Sequence, residues 1–457
     1  MRNDAKVMTT AVMASIFALT LISCQKIVVE KIVEKEILNE VHDTTYVEVH
    51  DTTFIRINDT IYVPVPDPDM YDWEQGRSTL PAISDMVLCY GGNQIRKSTD
   101  WPQSRFSEYV SYTDSENNEQ WLFDSFLALD WRWIDEEVYD PGYDSDDPLD
   151  VPGKYALTAG HDYRSAPKEG WQYFLDFWFT DQDNGFNGLD KAVEAASAKL
   201  GKPSVPRRIV MFLPDPLRNE FYNDRNSSTT YWGEVDGQTL DFSKDEDRVK
   251  AYIWYVNEAR SKFNDMRAKG LYQNIELIGF YILSEDLKHP SESWTDYAEL
   301  YNCIPPLAEY LHSVNEYLYW IPYSSAPGRD RGWDLGIDYI WLQPNYFEHG
   351  SGYLTTAMSN IIREGLGMEI EFDRKAFCRF SSTYENWETY RKRFREYMSS
   401  AKSAGVYGQK PFTYYIMTDM SQDVMYQLRT SSYGKDKELY QEFCAFVAGN
   451  PLKEKLK

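Results

Sequence analysis

Gly367-Met368-Glu369-Ile370-Glu371-Phe372-Asp373 is the stretch on which the fold reading turns. Strand side chains alternate faces, so Glu369, Glu371 and Asp373 share one side while Met368, Ile370 and Phe372 share the other. A strand with one apolar and one acidic face suits a barrel wall, with the apolar side toward packed helices and the acids toward the lumen. Burying like charges is costly unless they are paired or protonated, and such packing shifts their pKa values. Seven similar apolar runs precede or follow it: DMVLCYGG (85–92), WLFDSFLALD (121–130), RRIVMFLPDP (207–216), IELIGFYILSED (275–286), YLYWIPYSSA (317–326), IDYIWLQPNYF (337–347) and FTYYIMTD (412–419). Helix-like segments at 190–200, 245–269, 294–314, 353–365, 385–404 and 436–447 separate most of them. Strands alternating with helices predict a parallel sheet, and eight such units predict an α/β chain folded as a (β/α)8 TIM barrel over 85–449. A doubly wound open sheet is the competing architecture, but no GxGxxG follows any strand.

Barrel active sites sit where strands give way to the following loops. Two long polar insertions, 131–168 and 214–244, would rise on that face. Glu285 closes the fourth run and Glu371 lies near the end of the seventh. A carboxyl on each of these strands suits glycosidic bond cleavage, which needs one acid to protonate the leaving oxygen and a second carboxylate to attack or activate water. Glu369 is then the neighbour whose charge keeps Glu285 protonated, or itself the nucleophile if the register is displaced by one residue pair. Asp286 reads equally well as a helix cap. Around the pair, Asp130, His161, Tyr281, Tyr323, Trp341, Asn345 and Tyr346 are candidate substrate contacts, the aromatics as platforms for sugar rings and the polar groups as hydroxyl partners.

These motifs carry a resemblance. Glu285 after the fourth strand and Glu371 after the seventh resemble the large clan of retaining barrel glycosidases, which implies acid/base and nucleophile roles respectively. As a whole the chain is similar to a family of bacterial domains of unknown function, glycosidase-like barrels of secreted proteins, through FLALDWRW (126–133), GHDYRSAP (160–167), GFYILSED (279–286), WLQPNYF (341–347) and GMEIEFD (367–373). One position departs from the clan: its acid/base Glu usually follows an Asn, and here Ser284 stands before Glu285.

The N-terminus carries a different message. Arg2 and Lys6, an apolar stretch from Thr9 to Ile22, and Leu21-Ile22-Ser23-Cys24 form an export signal over 1–23, too short to span a bilayer comfortably. The LISC ending resembles a bacterial lipobox, which implies cleavage before Cys24 and a lipid on its thiol. Residues 24–66 form a repetitive tether with an eight-residue period, HDTTYVEV (42–49), HDTTFIRI (50–57) and NDTIYVPV (58–65). Its alternating residues suggest extended or strand-like chain, able to reach roughly 130 Å and to self-associate. Residues 67–84 read as a linker and 450–457 as a tail.

Composition removes other classes. A net charge of −25 repels phosphate backbones and excludes a nucleic-acid binder. Hydrophobic residues at 42% exclude wholesale disorder, and the 35 Tyr and 14 Trp fit both cores and sugar platforms. Five scattered Cys give no disulfide framework or zinc ribbon. There is no HExxH, GxSxG or P-loop, so no metal and no cofactor is predicted. The acidic run Asp144-Ser145-Asp146-Asp147 reads as a solvated loop. The expectation is an exported lipoprotein of the bacterial cell envelope, periplasmic or on the cell surface, whose barrel cleaves carbohydrate by a retaining two-carboxylate mechanism. A non-catalytic glycan-binding or scaffold lipoprotein using the same cleft is the alternative.

Overall fold

The computed structural model describes residues 46–49, 52–57, 60–64, 83–94, 97–130, 165–218, 228–292, 299–350, 352–416 and 423–456. The export signal, Cys24, most of the linker and the loop bearing His161 lie outside the described residues.

Eight strands form the barrel: β1 Asp85–Tyr90, β2 Ser125–Leu129, β3 Arg207–Leu213, β4 Ile275–Ile282, β5 Tyr317–Trp320, β6 Tyr339–Leu342, β7 Gly367–Phe372 and β8 Phe412–Ile416. All pairs are parallel, and the order β3-β4-β5-β6-β7-β8-β1-β2 closes on itself. Closure excludes the open-sheet alternative. Every β7 residue is buried, and the alternation read from sequence decides what each one meets. Phe372 packs on the helix layer, its ring 4.1 Å from that of Phe394 and 5.0 Å from that of Phe443. Glu369 and Glu371 take the lumen side.

The strands are shorter than the apolar runs that announced them. The ten-residue run 121–130 divides in two. Glu119–Trp121 pairs antiparallel with Ser111–Thr113 in a hairpin outside the barrel, and only Ser125–Leu129 joins the wall. Asp124 makes the break. Its carboxylate accepts the backbone N–H groups of Ser84 and Asp85, each at 2.9 Å, which ties the start of β1 to the start of β2. The fifth run stops at Trp320, two residues before Pro322, which has no N–H to give to a ladder. Beyond it, a single parallel bridge joins Tyr323 to Gln343.

Around the barrel lie α1 Gln103–Val110, α2 Lys168–Trp178, α3 Gly185–Leu200, α4 Asp245–Ala268, α5 Ile304–Ser313, α6 Tyr346–His349, α7 Tyr353–Glu364, α8 Trp387–Ser403, α9 Val424–Arg429, α10 Gly434–Ala448 and α11 Leu452–Lys455. The base of the barrel is locked by the C-terminal residues. Asn450 donates to the buried Asp85 carboxyl at 3.1 and 3.2 Å, Tyr414 does so at 2.6 Å, and the Lys453 ammonium stands 3.3 Å away. Lower in the lumen, Tyr319, Tyr339 and Trp341 stack from β5 and β6 with centroids 5.1–5.9 Å apart. This aromatic stack is a packed floor, not a pore.

The repeats form a compact unit distinct from the barrel. Strands Tyr46–Val49, Thr52–Ile57 and Thr60–Pro64 pair antiparallel in sequence order, with Tyr46 opposite Ile55 and Ile55 opposite Val63. Among the described residues, four cysteines are free: Cys89, Cys303 and Cys444 are buried, and Cys378 is half-buried.

Candidate active site

Glu371 sits at the upper end of β7, and two neighbours aim donors at it. Tyr397, buried on α8, donates its hydroxyl hydrogen to Oε2 at 2.5 Å. That hydroxyl in turn accepts the N–H groups of Tyr346 and Phe347 at 3.0 and 3.2 Å, the unsatisfied donors at the start of α6. The second donor is the backbone N–H of Asn345. Asn345 holds φ +55°, a left-handed conformation that Asn tolerates better than most residues. Burial pushes Glu371 up to about 7; Tyr397 and Asn345 oppose the rise, while the charges of Glu285 and Glu348 add to it.

Glu285 lies in the loop after β4, half-buried. Burial, and then the adjacent Asp286, push it up to about 7, and among the described residues no donor pulls it back. Glu369 lies deeper, 1% exposed. Burial, Glu371 and Glu285 hold it far above the ordinary range, opposed only by the donated side-chain hydrogen bond of Gln343. The three acids therefore act on one another from strands four and seven, across one lumen.

Tyrosines complete the lining. Tyr90 at the end of β1 meets Tyr415 of β8 edge-on, centroids 5.6 Å apart. The Tyr90 hydroxyl is driven well up by burial, then by Tyr415, Tyr281, Glu369 and Glu285, which places these groups together. Tyr281 is likewise raised by burial, Glu285, Glu369 and Asp215. Tyr281 is thus placed beside the acids, and Asn345 reaches Glu371 through its backbone. Tyr90, Tyr415 and Tyr397 were missed by the sequence reading. Tyr90 carried a signal, the third lumen-side position of an alternating strand after Met86 and Leu88. Tyr397 carried none.

Several expected contacts lie elsewhere. Trp341 is 0% exposed and belongs to the stacked floor, because its neighbour across the ladder is Gly367 and the missing side chain there leaves room for the indole. Asp130 is buried against the backbone of Gly92, where a Cβ would meet its Oδ2 at 1.7 Å. Its charge acts on Tyr173 and Tyr255 of the helix layer. Tyr346 braces α6 against α8 through its hydroxyl on Glu396. Tyr323, half-buried, is the exception: it is bridged to Gln343, whose side chain donates to Glu369. His161 lies outside the described residues. Asp373 turns to cap the short helix Arg374–Ala376, accepting the Lys375 N–H at 2.7 Å, and leaves the acid row. Ser284 is buried too: its Oγ donates to Asp215 at 3.4 Å and its carbonyl accepts the Trp320 indole N–H at 2.8 Å. Among the described residues, no group of three His, Cys, Asp or Glu is placed to hold a metal ion.

Residues 85–445 match the family described as Domain of unknown function (DUF4855). The chain belongs to this family. No curated protein matches this DUF4855 chain. Among solved structures it is similar to a GH5-4 broad-specificity endoglucanase from an uncultured bacterium, with 10% identity over 72% of this chain and 82% of the other and a TM-score of 0.33. A mannanase of Bacillus subtilis matches at 10% identity over 78% and 87%, TM-score 0.31. A glycoside hydrolase family 5 enzyme of Prevotella bryantii B14 matches at 12% identity over 78% and 95%, TM-score 0.34.

Proposed function

We propose that this DUF4855 protein is an exported, lipid-anchored glycoside hydrolase of the bacterial cell envelope that cleaves its carbohydrate substrate by double displacement. The observation that carries the reading is the unequal treatment of two carboxyls, the charge of Glu285 acting on Glu371. Glu371 receives two hydrogen bonds that favour its charged form, from Tyr397 and Asn345. Among the described residues, the influences on Glu285 favour its proton. Both are pushed up to about 7, and we assign the shared proton to Glu285 and the charge to Glu371 because the hydrogen-bond donors fall on Glu371.

Each state fits one role. The Glu371 carboxylate attacks the anomeric carbon and forms a glycosyl ester as the Glu285 carboxylic acid gives its proton to the departing oxygen. Glu285, now a carboxylate, takes a proton from water. That water attacks the same carbon, the ester breaks, and both carboxyls return to their starting states. Tyr90, Tyr281 and Tyr415 supply amphipathic rings beside the pair. The basic, apolar and LISC segments before Cys24 support export and lipidation, and the repeat sheet serves as a stalk.

The test is a purified mature chain and its Glu285→Gln and Glu371→Gln forms, offered a panel of aryl glycosides and polysaccharides. Turnover by the wild type, lost by at least about a thousandfold in each variant with a melting temperature at or above normal, is the expected result. Capture of a glycan without turnover would replace the hydrolase by a binding protein using the same cleft.

A further inference from the structure

Beneath the acid pair, four buried polar atoms on consecutive strands have no hydrogen-bond partner among the described residues: Tyr319 Oη on β5, Trp341 Nε1 on β6, Glu369 Oε2 on β7 and Thr413 Oγ1 on β8. Their residues are at most 1% exposed. They form a connected series. Tyr319 and Trp341 stack at 5.6 Å. The Trp341 Nε1 edge lies over Gly367, 2.6 Å from where a Cβ would be. Gly367 and Glu369 share the lumen side of β7, and Glu369 stands opposite Thr413. A buried donor or acceptor left unmade costs more than an average hydrogen bond contributes, so a native layer with four neighbouring orphans is one that water bridges.

We propose that Glu369 is a positioning residue, held as a neutral carboxylic acid beneath Glu371 and linked through internal water to Thr413, Trp341 and Tyr319. The ionisable groups that act on it are Glu371 on its own strand and Glu285 from the loop after β4, with the Tyr281 and Tyr90 hydroxyls beside it and the Gln343 amide donating from the end of the sixth run. Burial is the largest influence on it, and neither carboxyl offers it a counter-charge. A hydroxyl on Glu369 gives the orphan layer a further donor. An ionised Glu369 would instead set a second anion two residues below Glu371 and press a proton onto the attacking group.

The consequence for turnover rests on the hydrolase reading above; the protonation state does not. The first measurement is therefore infrared difference spectroscopy of the mature chain at about pH 8.5, above the values of Glu285 and Glu371. The carbonyl band of a protonated carboxyl is expected in the wild type and reduced by one group in Glu369→Gln; Glu316, a buried acid that burial pushes up to about 8, is common to both. No loss of band would overturn the proposal, whatever the chain hydrolyses. Thr413→Val is expected to move the same band to the position of a less hydrogen-bonded acid; an unmoved band would overturn the water link. If a substrate is in hand, Glu369→Leu, which removes the carboxyl from the water layer beneath Glu371, is expected to lower kcat about tenfold with KM little changed, and an effect on KM alone would overturn the positioning role; Glu369→Gln, which keeps polar atoms there, is expected to recover part of the kcat loss. A fall of the alkaline limb of the Glu369→Gln pH profile by a unit or more would mean that Glu369 is charged in the resting site.

Discussion

Glu285 and Glu371 are the same side chain, and only their surroundings give them different work. Tyr397 is the residue that most separates them. Tyr397→Phe keeps the ring and removes the donor, so the charged form of Glu371 loses support and its pKa rises. The acidic limb of kcat/KM is expected to move up by about one pH unit, with roughly a tenfold loss near pH 6 and little change in melting; an unmoved limb would remove Tyr397 from the mechanism. The same burial that tunes the acids costs stability. Glu285 keeps its proton in the folded chain to about 7 against an ordinary 4.5. Its contribution to stability is therefore intact below about 4.5 and is lost as pH rises through about 7. Glu285→Gln is expected to melt above the wild type at about pH 8 and to match it near pH 4, read by calorimetry at both. Glu371 was legible in the sequence because alternation in GMEIEFD singles it out. Tyr397 was not: it falls in the buried stripe Phe394, Tyr397, Met398, Ala401 of α8, and helical spacing alone marks such a residue as core.

At the scale of elements, the rhythm of apolar runs located all eight strands, since walls buried on both faces read as continuous hydrophobic segments. Their ends were not legible, because the apolar runs continue past the last ladder bonds into the loops. The run 121–130 held one visible warning, a lone Asp124 in its middle. That carboxylate bridges two strand starts, and Asp124→Ala is expected to cost about 3 kcal/mol in denaturant unfolding while activity per folded molecule persists. Unchanged stability would mean that the two strand starts are held by their ladder alone. Gly367 is a second such point. A Cβ there would meet Trp341 Cδ1 at 2.3 Å and the Pro411 carbonyl oxygen at 2.8 Å, so Gly367→Ala forces the indole out of its floor position. A loss of about 1–3 kcal/mol is expected, with changed tryptophan fluorescence; a silent substitution would show that the floor can move at no cost.

For the whole molecule, the repeat sheet and the barrel belong to different compact units. Deleting residues 46–64 is expected to leave the barrel's melting transition and turnover intact, and a joint loss of both would contradict that independence. Cys24→Ser is expected to release the chain from the membrane fraction. The barrel itself was legible from one chain because its signal repeats eight times, whereas the lumen chemistry joins residues as distant as Tyr90, Glu285 and Tyr397, which no local pattern connects. Everything proposed about function depends on Glu371 being the attacking carboxylate, and a mechanism-based 2-fluoroglycoside matched to the preferred sugar tests that directly. After inactivation and peptide mass spectrometry, the glycosyl ester is expected on Glu371. An ester on Glu369 or on any other residue, or inactivation without an ester, would contradict it.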